Sequence, residues 1–175
     1  MGLLSGQGIQ AVLYGDDSLM SRPMDRVINP LNEMGGNISF KNKKIHIEKG
    51  NIKGGTIVNL TSSAQVKSAI IFAALGGDKK TVLRESYYTR DHTERMISYF
   101  KNEAICTRGK NIEINPLQFT GRNIDISGDI SKASFLIALA CLSDQSNLAI
   151  RDCSINQYRL GFVSILKKMG AEIYV

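Results

Sequence analysis

The sequence predicts an α/β protein assembled from a repeated unit, with helices inside and strands outside. Three observations predict it. A pattern of arginine, amphipathic helix, small or polar break and short strand occurs three times. A second helical pattern, apolar on every side, recurs between those copies. The strands alternate apolar and polar residues, which gives each one buried and one wet face. With 175 residues the chain is one domain, or a domain with an appendage. A chain of this size buries roughly 70% of its unfolded surface, so it needs no disulfide or metal staple.

Gly2-Leu3-Leu4-Ser5-Gly6 reads as a helix end, and Gln10-Ala11-Val12-Leu13 as the strand after it. The first copy runs Arg22-Pro23-Met24-Asp25 through Leu31 and Met34, breaks at Gly35-Gly36 and resumes as the strand Asn37-Ile38-Ser39-Phe40. Lys44-Ile45-His46-Ile47-Glu48 is a half-exposed strand by its alternation. Ser62-Ser63-Ala64-Gln65 opens a helix with good N-cap residues. That helix turns apolar all round from Ile70 to Leu75, so it must be buried on every face. A polar turn and the strand Thr81-Val82-Leu83 follow. The turn Gly76-Gly77-Asp78-Lys79-Lys80-Thr81 lacks the Gly-Lys-Ser/Thr ending of a phosphate loop and reads as an ordinary turn.

The second copy opens at Arg90-Asp91-His92-Thr93, with Asp91 and Glu94 spaced as a capping pair. It continues through Ile97 and Phe100 to Ala104-Ile105-Cys106, and Asn111-Ile112-Glu113-Ile114 supplies another alternating strand. Gly128-Asp129-Ile130-Ser131 stands 66 residues after Ser62-Ser63-Ala64-Gln65 and leads into Phe135–Leu142, again apolar all round. Leu148-Ala149-Ile150 is the strand expected after it. The third copy runs Arg159-Leu160-Gly161 through Leu166 and Met169, breaks at Gly170 and ends in the expected strand Glu172-Ile173-Tyr174-Val175. Met34, Phe100 and Met169 align at spacings of 66 and 69 residues. The repeat divides the chain into a partial unit 1–60, a unit 61–127 and a partial unit 128–175, within one truncated domain 1–175. Met1 is expected to cut one unit open and Val175 to stop another midway, which makes the sequence a piece of a longer protein.

Composition excludes several function classes. Hydrophobic residues at 43% and charged residues at 22% are ordinary for a globular chain and exclude disorder, collagen and coiled coil. The longest wholly apolar run, Phe135–Leu142, is far short of the ~20 residues that span a bilayer. No secretory leader is visible. The opening Met-Gly nearly fits a myristoylation signal, but Gly6 stands where Ser or Thr is needed. Cys106, Cys141 and Cys153 form an odd, sparse set that suits reduced thiols in a cytoplasm, and the sequons at Asn37 and Asn59 then carry no meaning. The net charge of +6 favours an anionic partner. The basic residues are scattered, Lys41, Lys43 and Lys44 being the densest cluster, and Trp is absent, which argues against a nucleic-acid stripe. His46 and His92 stand alone, no zinc spacing occurs, and no Ser lies in a nucleophile elbow.

Two helix starts are left as candidate sites. At Ser62-Ser63-Ala64-Gln65, hydroxyls and free backbone N–H groups meet the positive end of a helix dipole, which suits an anion. Gln65 adds a side chain that both donates and accepts. Plain N-capping by Ser62 or Ser63 explains the same residues. At Thr89-Arg90-Asp91, Arg90 stands just before a helix, where a guanidinium holds a phosphate or carboxylate through two hydrogen bonds. An exposed arginine, or a partner for Asp91, is the alternative there.

These motifs resemble a known family. Gly15-Asp16-Asp17-Ser18-Leu19 with Arg22-Pro23-Met24, Ser63-Ala64-Gln65-Val66-Lys67-Ser68-Ala69, and Arg90-Asp91-His92-Thr93-Glu94-Arg95-Met96 are similar to signatures of 5-enolpyruvylshikimate-3-phosphate synthases. Gly128-Asp129-Ile130-Ser131 and Lys168-Met169-Gly170-Ala171 match as well, so the resemblance runs the length of the chain. It implies an inside-out α/β barrel of βαβαββ units, the enolpyruvyl transferase fold, with about two and a half units present. It also implies the transfer of the enolpyruvyl group of phosphoenolpyruvate to the 5-hydroxyl of shikimate 3-phosphate. That reaction proceeds by addition and elimination through a tetrahedral intermediate, with no cofactor or metal, in the aromatic amino-acid pathway of a cytoplasm.

By the same resemblance, Ser63, Ala64, Gln65 and Arg90 bind shikimate 3-phosphate, and Gln65 also lies near phosphoenolpyruvate. Thr89 keeps the hydroxyl of a position that is often Ser, while Asp16, Arg22 and Pro23 are read as structural. The family's catalytic Asp and Glu and its phosphoenolpyruvate motif have no counterpart in this span, so no catalytic residue is assigned to it. A missing second domain of the same polypeptide is the expected partner, with no nucleic acid and no membrane. UDP-N-acetylglucosamine enolpyruvyl transferase is the alternative of the same fold, but its reactive Cys has no counterpart between Gly15 and Met20. A non-catalytic anion- or nucleic-acid-binding module is the contrasting class.

Overall fold

The computed structural model describes residues 1–175, which divide into a first unit, Met1–Gly121, and a second, Arg122–Val175. In the first unit α1 (Gly2–Gly6) and β1 (Ala11–Leu13) are followed by α2 (Asp17–Met20) and α3 (Asp25–Glu33). Then come β2 (Asn37–Lys41), β3 (Lys44–Glu48), β4 (Thr56–Asn59), α4 (Ala64–Ala74), β5 (Thr81–Glu85) and α5 (His92–Phe100). A single 3-10 turn at Asn102–Ala104 leads into β6 (Ile105–Arg108) and β7 (Asn111–Ile114).

Turn chemistry and alternation set the two sheets. Asn42 and Lys43 both sit in the left-handed region, at φ 51° and 57°, as a two-residue hairpin loop requires. That loop fixes the pairing of Lys41 with Lys44, and hence the register that turns Ile38, Ile45 and Ile47 inward. β1 adds antiparallel to the other edge of β3, giving the order β1-β3-β2. Asn32, on α3, donates to the Ile38 carbonyl at 2.8 Å and accepts from its N–H at 2.9 Å, so one side chain pins helix to strand. The second sheet has the order β4-β5-β7-β6. Its β4 and β5 run parallel, as strands joined through a crossover helix must, and α4 is that helix.

The expectation that this helix is buried all round holds on all but one face: Val66, Ile70, Ile71, Ala73 and Ala74 are fully buried, whereas Ser68, Ala69 and Phe72 are half-buried. α1 packs against it through small residues. A Cβ on Gly2 would stand 2.0 Å from the Ala69 carbonyl oxygen, and one on Gly6 would stand 2.8 Å from that of Ala73. Only glycine lets the two backbones approach so closely. β4 has no counterpart in the sequence reading: its four residues follow Gly54-Gly55 and are too few to show a period. Asn59, at the end of β4, is 1% exposed, and its side-chain oxygen accepts from the N–H and the hydroxyl of Thr61.

The second unit holds α6 (Ile130–Leu142), a 3-10 turn at Gln157–Arg159 and α7 (Gly161–Lys168). Here two expectations fail. Leu148–Ile150 and Glu172–Val175 form no strand, the only pairing being an isolated parallel bridge between Gly128 and Cys153. Strands need ladder partners, and this unit offers none. Nor is α6 buried on every face: Phe135 is 79% exposed and Leu142 86%, with only Ile130 buried. Its apolar residues are those of a central helix, but no strand layer forms over them.

Candidate anion-binding site

The start of α4 is set by Ser63, whose extended backbone (φ −125°, ψ 110°) ends the loop before the helix. Its hydroxyl accepts from the Val66 N–H at 3.4 Å, a long bond that caps only weakly. The N–H groups of Ala64 and Gln65 precede the first intrahelical bond and point out of the helix end. Ser63 and Ala64 are half-buried and Gln65 is exposed. The structure thus brings three of the sequence-predicted residues to one helix mouth. It also adds one the sequence reading did not single out. Arg26, on α3, donates to the Gln65 side-chain oxygen at 3.4 Å, which places a guanidinium beside that mouth.

Arg90 lies on the irregular segment between β5 and α5, exposed, with no carboxylate partner. The expected capping pair is not formed. Asp91 is the N-cap of α5 without a side-chain cap bond, and it instead accepts from Arg95 at 2.9 Å. Glu94 turns inward, because a stronger partner waits there.

That partner is Lys67, one turn into α4 and 1% exposed. Its ammonium stands 2.6 Å from Glu94 Oε1, 3.2 Å from Glu85 Oε2 and 3.4 Å from the Thr89 carbonyl oxygen. Thr89 also donates its hydroxyl to Glu85 Oε1 at 2.7 Å. Beside this cluster the Ser68 and Thr93 hydroxyls are 2.6 Å apart. Burial raises the Glu94 carboxyl above its ordinary value, against the pull of the Lys67 ammonium, and its second oxygen has no partner. Sequence reasoning missed this cluster. The available signal was a lysine inside an apolar helix, which demands buried counter-charge.

The corresponding helix mouth in the second unit is chemically different. Asp129, 66 residues after Ser63, caps α6 by accepting from the Ser131 N–H at 2.9 Å. Arg159, the third-copy counterpart of Arg90, bonds the Ser131 hydroxyl and lies 3.7 Å from Asp129. The backbone bond from Ser131 holds the Asp129 carboxyl below its ordinary range, and Arg159 adds to it. This mouth is filled by its own carboxylate. The α4 mouth has a neutral cap, and its guanidinium, Arg26, bonds only the neutral Gln65 side chain.

The α/β arrangement, with the apolar helix α4 crossing between the parallel strands β4 and β5, is that of the enolpyruvyl transferase fold. Among solved structures the chain is similar to EPSP synthase from Acinetobacter baumannii, with a TM-score of 0.81 and 35% identity over 98% of this chain and 41% of that one. The family model for EPSP synthase (3-phosphoshikimate 1-carboxyvinyltransferase) matches residues 1–175, and the chain belongs to this family. It is 42% identical over 183 residues to the 3-phosphoshikimate 1-carboxyvinyltransferase of Caldicellulosiruptor saccharolyticus, covering all of this chain and 42% of that one. With that of Endomicrobium trichonymphae it shares 42% identity over 176 residues, covering 98% of this chain and 41% of that one. The chain therefore spans about two fifths of the length of the curated relatives it matches. The relatives carry the name of the shikimate enzyme and not that of the UDP-N-acetylglucosamine alternative. No helix is long and apolar enough to cross a membrane.

Proposed function

We propose that this chain supplies part of the shikimate 3-phosphate side of an active site whose parent protein makes 5-enolpyruvylshikimate 3-phosphate. The 5-hydroxyl oxygen of shikimate 3-phosphate bonds to C2 of phosphoenolpyruvate while C3 takes a proton. Loss of phosphate and of a C3 proton then restores the double bond. The observation that carries this reading is the mouth of α4, where Ser63 caps weakly and Arg26 bonds only the neutral Gln65 side chain, against the mouth of α6 that Asp129 and Arg159 close on themselves.

The Ser63 hydroxyl and the Ala64 N–H donate to the anion, and Arg90 neutralises it. Gln65 donates to one substrate and accepts from the other, which suits a residue between shikimate 3-phosphate and phosphoenolpyruvate. None of these groups moves the proton at C3, so this span binds and orients, and catalysis is completed by groups from the rest of the polypeptide. The units 1–60, 61–127 and 128–175 are then parts of one domain of a cytoplasmic enzyme, which faces a second domain and needs no cofactor.

The test is an amide chemical-shift titration of this chain with shikimate 3-phosphate, and separately with phosphate and with shikimate. Shifts clustering at residues 62–66 and 89–91 with the full ligand support the reading. Shifts confined to Lys41–Lys44, or equal responses to plain phosphate, reduce the site to generic charge.

A further inference from the structure

We infer that Lys67, Glu85 and Glu94 form a positioning device that grips Thr89 and so fixes where Arg90 meets an anion at the mouth of α4. The inference rests on reading Ser63, Gln65 and Arg90 as a half-site, and adds to it three residues that touch no substrate.

The geometry is specific. An ammonium has three donors, and Lys67 places them among three acceptors: Glu94, Glu85 and the Thr89 carbonyl. Those acceptors come from α5, from the last residue of β5 and from the segment between them. Thr89 is therefore held at two points, its carbonyl by Lys67 and its hydroxyl by Glu85. Arg90 is the next residue, and Glu94, one helical turn further on, is fixed to the same ammonium. The segment has no regular structure of its own between Ser86 and Arg90. Its only other side-chain anchor is Lys110, which donates to the Ser86 carbonyl at 2.7 Å and lies over the Tyr88 ring. Lys67 sits one turn inside the helix whose first residues are the other half of the site, so the cluster ties Arg90 to the element that carries Ser63 and Gln65.

Stability does not explain the arrangement. Buried ionic clusters are commonly no more stable than apolar residues of the same size, and this one leaves a Glu94 oxygen unpartnered. Lys67 and Glu85 buried to hold a single threonine, with Glu94 as a second counter-charge to the ammonium, fit a requirement for position. A backbone held in place before binding loses less motion when its arginine takes up an anion.

The test compares the chain with the shape-preserving triple variant Lys67→Met, Glu85→Gln, Glu94→Gln, which removes all three charges together. Backbone amide order parameters at residues 89–91 are expected to fall from about 0.85 to below about 0.6 in the folded variant, before any ligand is added. The dissociation constant for shikimate 3-phosphate is expected to rise at least about five-fold by titration. Glu94→Gln alone keeps Lys67, Glu85 and their hold on Thr89, and is expected to restore both readouts. Should the triple variant not fold, Thr89→Val leaves every charge in place and cuts only the bond to Glu85. It is expected to lower order at residues 89–91 and weaken binding about two-fold. Unchanged order at residues 89–91 in a folded variant overturns the inference. Lost order in the variant, combined with a parent chain that takes up no shikimate 3-phosphate, upholds the positioning role and overturns the half-site reading instead.

Discussion

A lysine inside an apolar helix puts a full charge where its neighbours cannot solvate it, and at position 67 two carboxylates compensate for the lost water. Lys67→Met leaves Glu85 and Glu94 buried together without a cation. Its expected cost is about 3–5 kcal/mol, read from urea unfolding. Glu94→Gln is expected to cost far less, because the Lys67–Glu85 pair survives and the oxygen it replaces has no partner. The same comparison has a pH signature. Burial raises the Glu94 carboxyl above its ordinary value of 4.5, so the folded chain holds that proton more tightly than the unfolded one. The stability this confers is fully present below the ordinary value and is lost as pH rises through the raised one. The stability of Glu94→Gln relative to the parent should therefore improve from pH 4 to pH 7, and a flat difference would remove this account of Glu94. At the binding residues, Arg90→Ala should weaken shikimate 3-phosphate uptake more than Ser63→Ala, since charge-assisted bonds contribute about 1.5–3 kcal/mol and neutral ones about half that. Gln65→Ala should matter least in this chain, because its proposed second ligand, phosphoenolpyruvate, lacks its other contacts here. Titration of the three variants ranks them directly.

α4 and α6 show how far an element can be read from its own residues. Both are apolar all round, and the sequence pattern predicts burial for both. α4 meets it on all but the half-buried face of Ser68, Ala69 and Phe72, because α1, α3 and β5 close over it. α6 does not, because burial belongs to the surroundings and no strand layer forms in its unit. Phe135, Leu139 and Leu142 line one exposed stripe at helical spacing. An exposed apolar stripe favours self-association, so Phe135→Lys with Leu139→Lys should leave the helical circular dichroism signal intact and reduce concentration-dependent light scattering. Unchanged scattering would place the association elsewhere. Helix starts, strands and the hairpin were legible because cap residues, alternation and turn residues are local. The Asp91–Glu94 capping box was misread for a tertiary reason: Glu94 has a buried ammonium within reach, and a cap bond at the helix surface is the weaker choice. The Lys67 cluster joins residues up to 27 positions apart, so only its charge imbalance was visible in the sequence.

For the whole molecule, the expected repeat pointed to the helix starts before any single residue was understood, although the second unit lacks the strands that the repeat called for. The candidate site was legible as two helix starts. What separates the open mouth of α4 from the closed one of α6, a neutral cap against a carboxylate with its own arginine, emerged only from the side-chain geometry. This chain alone is expected to show no transferase turnover, because stabilising the developing charge takes groups converging from both sides of the substrates. A coupled phosphate-release assay with both substrates checks it, and sustained release above the enzyme-free rate would contradict it. Asn59 has a practical consequence for how the protein is made. Its Asn-Leu-Thr triplet is an acceptor for oligosaccharide transfer, and so is Asn37-Ile-Ser. Asn37 is exposed and would carry a sugar without harm, but Asn59 is sealed at the end of β4 with its side-chain oxygen bound to Thr61. A secretory host attaches sugars while the chain is still extended. There, a glycan at Asn59 would hold β4 out of its sheet, and the product would be retained as misfolded. Bacterial cytoplasmic expression avoids that fate, and in a secretory host Thr61→Val would remove the acceptor at the loss of one half-buried hydrogen bond.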